Sequence, residues 1–588
     1  MVKLILKSDT RNLIRNPFSW FLVSFMLFGV FRTQSFGDIN EKSIGSDGRG
    51  YYAYLPAFFL QKDASFSKTL EVEGAFLETD SQYYIFENSK HERFNKFFPG
   101  IAVMQAPFFA IACGIEYLRG SEITGYSNTF TNLFYIGHLF YALLGLLLFS
   151  SCIQRMYPEF KNRNLIIALV FVATPLLFYS VETSLSHSYT FLLYGVFTWL
   201  LLNLKDKFCF RTIFQLGLVL GIITITRPTN LIVLAIVPFL LGSFQLTVEV
   251  IKKLFSRNLL FLMVFSIGFF IILSFQLFIW KWQSGHWFFW PYNGEGLNWL
   301  HPKIWETLFS FRTGLFVHTP LILISALASW CVFKKNGFQF TVWWLYFVLN
   351  IYIIGSWWCW DYETPFGHRP FTEHLFFLVL PIFYLNEWKP KFTLAIISLC
   401  AALGIVRYIE YTSGYMINQR FTKENYVKSL AFWKPWNFDR WAFTQSVEPF
   451  GRRIFERELL VQPNEIKVDE TMEYIHSIEV ALPKNHLDTR YFVKVYLDKK
   501  IEGKSLQDVF LIKDATSTTS ERRCYLSLPL WNDKLEGQKE FVSLELSEAI
   551  PDNFSEYDRV KIYIWNKSKS KFSIKNYRVV LEQYSSIK

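Results

Sequence analysis

The run with most chemical content is Ser46-Asp47-Gly48-Arg49-Gly50-Tyr51-Tyr52. Gly45, Gly48 and Gly50 predict a tight turn, and the aromatic stretch Tyr51 to Phe59 suits a membrane interface. Asp47 is thereby expected at the boundary of water and lipid, where a carboxylate can take the proton from an acceptor hydroxyl as a glycosyl group leaves a lipid phosphate. A turn-forming aspartate in a solvated loop accounts for the same residues. Asp38, in Phe36-Gly37-Asp38, competes for the acidic role.

A second cluster is Trp357-Trp358-Cys359-Trp360-Asp361-Tyr362 continuing through Phe366-Gly367-His368-Arg369 to Glu373-His374. The guanidinium of Arg369 offers a two-pronged, permanently charged grip on phosphate, and His368 can add a donor. The tryptophans fit an interfacial belt. Lys96, Arg227 and Arg312 are secondary phosphate candidates, each equally able to fix a helix end. Glu182 and His187, in Val181-Glu182-Thr183-Ser184-Leu185-Ser186-His187, can complete an acceptor or metal site with Asp47, or cap a helix. Glu295, in Tyr292-Asn293-Gly294-Glu295-Gly296, joins that group. A divalent cation is one possible occupant, but these ligand types on a short turn are not a metal signature by themselves.

The elements that must position these groups are membrane spans. The 588 residues are 51% hydrophobic and 19% aromatic, too apolar for a soluble chain of this length. Apolar runs occur near 130–152, 165–181, 188–204, 212–226, 231–246, 259–280, 315–333, 340–356, 372–388 and 392–409. Pro17 to Phe31 follows Lys3, Lys7, Arg11 and Arg15 without a small-x-small cleavage site, which predicts an uncleaved signal anchor. The net charge of +11 sits mostly in short loops between apolar runs, a topology signal rather than a nucleic-acid site. Placing the loops with Arg155, Lys205, Lys252, Lys334 and Lys389 on one side requires that Phe97 to Tyr117 not cross. That segment is expected to be re-entrant or interfacial on the outer face.

The result is about eleven spans with a cytoplasmic N-terminus. The loops Gly37 to Tyr126, Lys281 to Phe311 and Trp357 to Phe371 share the outer side. The spans themselves are nearly free of Asp, Glu, Lys and Arg, which disfavours an ion-coupled transporter. Seven scattered cysteines indicate neither a zinc site nor a disulfide framework. The spans occupy residues 1–410, and 411–588 form a second, extracytoplasmic domain. Amphipathic linking segments are expected to about residue 470. Alternating runs such as Tyr491 to Tyr496, Phe541 to Leu546 and Val560 to Trp565 then predict an antiparallel β-sandwich.

On these features the chain resembles the bacterial GT-C-fold glycosyltransferases, the superfamily of protein O-mannosyltransferases, oligosaccharyltransferases and lipid A aminoarabinose transferase. The resemblance covers about the first 410 residues. It rests on the first outer loop with Asp47, the interfacial segment starting near Phe97, the polar turn at Glu182, and Phe366-Gly367-His368-Arg369 before a late span. It implies an inverting transfer from a polyprenyl-phosphate-linked sugar to a periplasmic protein or glycan, within the lipids of the bacterial cytoplasmic membrane. Asp47 is then the base and Arg369 a phosphate ligand. The family's Asp-Glu pair is Asp47-Gly48 here, its basic-Pro-Pro element is Lys96-Phe97-Phe98-Pro99, and Glu182 or His187 replaces its second-loop Asp, so the resemblance leaves metal dependence open. Rival classes are an oligosaccharyltransferase for en bloc protein O-glycosylation, a lipid or glycan transporter, and a non-catalytic envelope scaffold. Asp47 and Arg369 facing one cavity favours an enzyme; wide separation favours the others.

Overall fold

The computed structural model describes residues 17–34, 44, 47–77, 84–87, 93–160, 162–182, 185–255, 259–288, 291–292, 295–362, 366–412, 423, 426, 453–481, 489–501, 509–516, 523–530, 541–549, 559–567 and 569–585. The chain divides into two compact units, Met1–Ile405 and Val406–Lys588.

The first unit is almost entirely helical. Among the described residues five helices are long and apolar enough to cross a membrane: Gly100–Arg119, Asn128–Met156, Leu260–Ser284, Gly337–Ser356 and Pro390–Tyr411. Shorter apolar helices include Trp20–Val30, Arg163–Val172, Phe210–Thr226, Pro228–Leu241 and Leu375–Trp388. Helix lengths alone do not confirm the expected count of about eleven spans. Proline is one reason, since it cannot continue the backbone hydrogen-bond ladder. Pro175 separates Arg163–Val172 from Leu176–Val181, and Pro228 starts a 3-10 segment that runs to Ile236 before an α-helical turn, Val237–Leu241.

The segment expected to be re-entrant or interfacial is one continuous helix, Gly100–Arg119, in spite of Pro107. It runs antiparallel along the first half of Asn128–Met156. Tyr141 Oη donates to Met104 O at 2.5 Å, Gln105 Nε2 to Phe134 O at 2.9 Å, and Ser127 Oγ to Glu116 Oε1 at 2.8 Å. Elsewhere Phe210–Thr226 and Leu260–Ser284 cross closely through Gly217, Gly221 and Gly268, where an added Cβ would strike the facing backbone. Such small-residue crossings replace hydrophobic association where the solvent is itself apolar.

Contacts gather the inter-helix loops at two ends. At one end Arg155 meets Asp206 at 2.5 Å, Lys335 meets Glu387 at 2.7 Å, and Asn336 Nδ2 donates to Gly242 O at 2.8 Å. The polar loops with the candidate site residues meet at the other.

The second unit is an antiparallel sandwich of β3 (Arg453–Gln462), β4 (Ile466–Val468), β5 (Tyr474–Ala481), β6 (Thr489–Ile501), β7 (Val509–Thr516), β8 (Arg523–Pro529), β9 (Val542–Ala549), β10 (Arg559–Asn566) and β11 (Phe572–Ser585). One sheet is ordered β5-β10-β7-β8 and the other β3-β11-β6-β9, with β4 also beside β11. Strand β10 shows the alternation that drives this packing: Val560, Ile562 and Ile564 are buried, and Arg559 and Lys561 are exposed. The inward rows of both sheets, including Val495, Leu544, Leu511 and Val579, form one core. Strands begin at Arg453, ahead of the expected residue 471, because the alternation in β3 is weak: six of its ten residues in succession are exposed. The linking segments expected before it lie mostly outside the described residues.

Candidate active site

Asp47 does not sit on the expected glycine turn; it opens the helix Asp47–Pro56. Gly48 and Gly50 are poor helix formers, but packing overrides propensity here. A methyl group on Gly50 would collide with the Phe97 ring, so glycine allows this helix to lie against the Lys96–Phe97 corner. Asn95 Nδ2 donates to Gly50 O and Tyr54 Oη to Phe97 O, both at 2.6 Å. Asn95 closes the short hairpin β1 (Ile85–Glu87) and β2 (Arg93–Asn95).

Two residues after Asp47, Arg49 is tied to Glu73, with Nε at 2.6 Å from Oε1. The other Glu73 oxygen accepts from Tyr84 Oη at 2.6 Å and Tyr126 Oη at 2.9 Å. This buried knot fixes the start of the helix and hence Asp47. Glu73→Gln is expected to cost about 3–5 kcal/mol, because it strands a buried guanidinium. A fall in the unfolding temperature of the purified protein in detergent measures the effect.

Arg369 reaches Asp47 from the 3-10 turn Arg369–Phe371, with Nη1 at 3.1 Å from Oδ2. Burial works against the charge of Arg369, but the Asp47 carboxylate together with the Tyr179 and Tyr51 phenols outweighs it, so the guanidinium pKa is raised. Arg227 lies alongside, its Nη1 at 3.3 Å from Glu373 Oε1. The Tyr362 ring stands between the two guanidinium groups, 5.7 Å from Arg227 Cζ and 6.0 Å from Arg369 Cζ. Its π-face helps hold two like charges in one small region.

Glu373, with no exposed surface, is the hub behind them. Oε2 meets His187 Nδ1 at 2.5 Å, while Oε1 also accepts from Asn230 Nδ2 at 3.3 Å. Tyr51, buried next to Asp47, has its phenol pushed up to about 12, by burial first and by the Asp47 charge second. It stays protonated at neutral pH. His368 is pushed down to about 3 by burial, with His318 and Arg369 adding to the effect. It is therefore a neutral imidazole, and both its ring nitrogens are buried without a hydrogen-bond partner among the described residues.

The remaining candidates separate. Lys96 and Glu295, read from sequence as a phosphate ligand and an acceptor-site acid, pair with each other at 3.1 Å. Arg312 lies 2.6 Å from Asp361. Glu182 follows the helix Leu176–Val181, and its N–H donates to Phe178 O. His187 belongs to the Glu373 hub, and Asp38 lies outside the described residues. Among the described residues no three His, Cys, Asp or Glu side chains converge to hold a metal ion. Asp47 instead pairs with Arg369, and Glu373 with Arg227.

Glu373, Tyr362 and Tyr51 were given no role from sequence. The available signal was Glu373 itself, an ionisable residue at the edge of an apolar run, which is costly unless paired.

The described residues thus define a polytopic helical protein with a charge-paired polar site at one end of its helices, joined in sequence to a β-sandwich. No family model matches the chain, and no curated protein matches it in sequence. Among solved structures it is similar to the arabinosyltransferase EmbB from Mycobacterium smegmatis, at 11% identity and a TM-score of 0.29, over 77% of this chain and 58% of that one. The chain thus spans little more than half of that enzyme, and a likeness this weak carries no argument.

Proposed function

We propose that the protein is a membrane glycosyltransferase that moves a sugar or glycan from a polyprenyl-phosphate carrier to an acceptor hydroxyl at the periplasmic face of the cytoplasmic membrane. The observation that carries this is the 3.1 Å contact between Asp47 and Arg369, a base and a phosphate grip brought together from distant parts of the sequence.

In the structure each group occupies the other. A carboxylate paired with a guanidinium is not free to receive an acceptor's proton, and a guanidinium held by a carboxylate is not free for phosphate. Donor phosphate entering between Arg369 and Arg227 takes over the guanidinium charge and releases Asp47. The acceptor oxygen then attacks the anomeric carbon as its proton passes to Asp47. The bond from that carbon to the phosphate oxygen breaks, and its electron pair leaves on the phosphate. Attack from the face opposite the leaving group inverts the anomeric centre. The two guanidinium groups stabilise the departing charge, and Glu373 and Tyr362 hold Arg227 in place. The neutral His368 supplies one hydrogen-bond donor or acceptor beside Arg369. The β-sandwich unit follows the last span in sequence and belongs to the periplasmic side.

Cells lacking the protein are expected to accumulate a polyprenyl-phosphate-linked sugar and to lose one envelope glycan. Restoring the wild-type chain should reverse both. Unchanged lipid-linked pools and unchanged glycans in the deletion strain would refute the proposal.

A further inference from the structure

A second polar cavity lies at the far end of the helices. The helix His187–Asp206 begins in the Glu373 hub and ends at this cavity, so the two lie about 28 Å apart along one helix at about 1.5 Å per residue. The cavity encloses about 280 Å³ and is lined by residues that include Arg155, Lys205, Asp206, Gln339 and Tyr384. Leu202, Phe239 and Leu240 supply an apolar wall.

Its cationic groups are organised. The Arg155 guanidinium lies over the Trp199 ring at 4.6 Å and is held on one side by Asn203 Oδ1 at 2.7 Å. Its other side meets Asp206, whose side chain is 71% exposed. An exposed pair of this kind is weak and readily exchanged. Lys205, exposed at the rim near Gly242, has no carboxylate partner among the described residues. The cavity floor is already internally bonded: Tyr384 Oη donates to Gln339 Oε1 at 3.0 Å, and Gln339 Nε2 to Phe239 O at 2.8 Å. Lys335 and Glu387 pair with each other nearby.

We infer that this cavity binds the phosphate of an anionic phospholipid, with the phosphate exchanging for Asp206 on Arg155 and completed by Lys205. A basic pocket between helix ends, with one cation restrained and one free, is suited to a lipid headgroup. The site is separate from the Asp47–Arg369 pair and does not depend on the function assigned to that pair.

Native mass spectrometry of the full chain in detergent, with phosphatidylglycerol and phosphatidylcholine added at equal concentration, tests it. Wild type is expected to retain phosphatidylglycerol preferentially. The pair Arg155→Gln and Lys205→Gln should weaken retention by about 30-fold, Lys205→Gln alone by several-fold, and Asp206→Asn should strengthen it. Lys205 is an exposed rim residue, so its variant gives an answer even if Arg155→Gln disturbs folding. Lys252→Gln with Lys253→Gln removes the same charge elsewhere and should change nothing. Displacement of phosphatidylglycerol by millimolar inorganic phosphate would keep the phosphate site and assign it to a soluble source. Equal retention of the two lipids with no effect of phosphate, or equal losses in the distant lysine variant, would overturn the inference.

Discussion

Asp47→Asn is expected to lower turnover by about 10²–10⁴-fold, the usual contribution of a general base, while leaving the donor bound as tightly as before or more so. The amide is nearly isosteric, and Asp47 is placed by its helix and the Arg49–Glu73 knot rather than by its own charge. The substitution removes the proton acceptor and also frees Arg369 from its counter-charge. Initial rates with lipid-linked donor and purified variant, separated into kcat and KM, distinguish the possibilities. A kcat close to wild type would remove Asp47 from the role of base. A normal kcat with a raised KM would instead make it a residue that merely positions the guanidinium.

Arg369→Gln is expected to lower kcat/KM by about 10²–10³-fold, the cost of losing one strong donor to developing charge, with KM rising as kcat falls. Arg369→Lys keeps a charge without the planar fork and should recover only part of the loss. Because Asp47 and Arg369 share one contact, their effects should not add: the double variant is expected to be much less impaired than the product of the two single losses. Strict additivity across the cycle would mean that the two residues act independently, and the exchange of partners on donor entry would have to be abandoned.

The pair at the centre of these predictions was legible in the sequence because its members are unusual where they stand: an acid before an aromatic interface segment, and an arginine among outer-loop tryptophans. Their local structure was less legible. Gly48 and Gly50 predict a turn, whereas Gly50 admits the Phe97 ring against a helix, a requirement set by a residue far along the chain. Lys96 and Glu295 were both singled out, but nothing in the spacing shows that they pair. Glu373 was hidden for the opposite reason, since it opens an apolar run and its partners His187, Arg227 and Asn230 come from two other segments. In the β-sandwich the alternation of β10 was plain, while the mostly exposed face of β3 concealed where the strands begin.

Four cations stand in or near the site, and each faces a carboxylate: Arg369 with Asp47, Arg227 with Glu373, Lys96 with Glu295, and Arg312 with Asp361. Charges matched at such short range cancel within a few ångströms, and at physiological salt whatever field remains is screened within about 8 Å. Among the described residues these pairs therefore cast little electrostatic field over the surrounding water, and small free anions gain little by approaching them. Under the proposed reaction, the donor is already confined to the plane of the bilayer, arrives by two-dimensional diffusion and needs its phosphate recognised only at contact. In that reading charge pairing acts as a filter for donors that carry their own anchor.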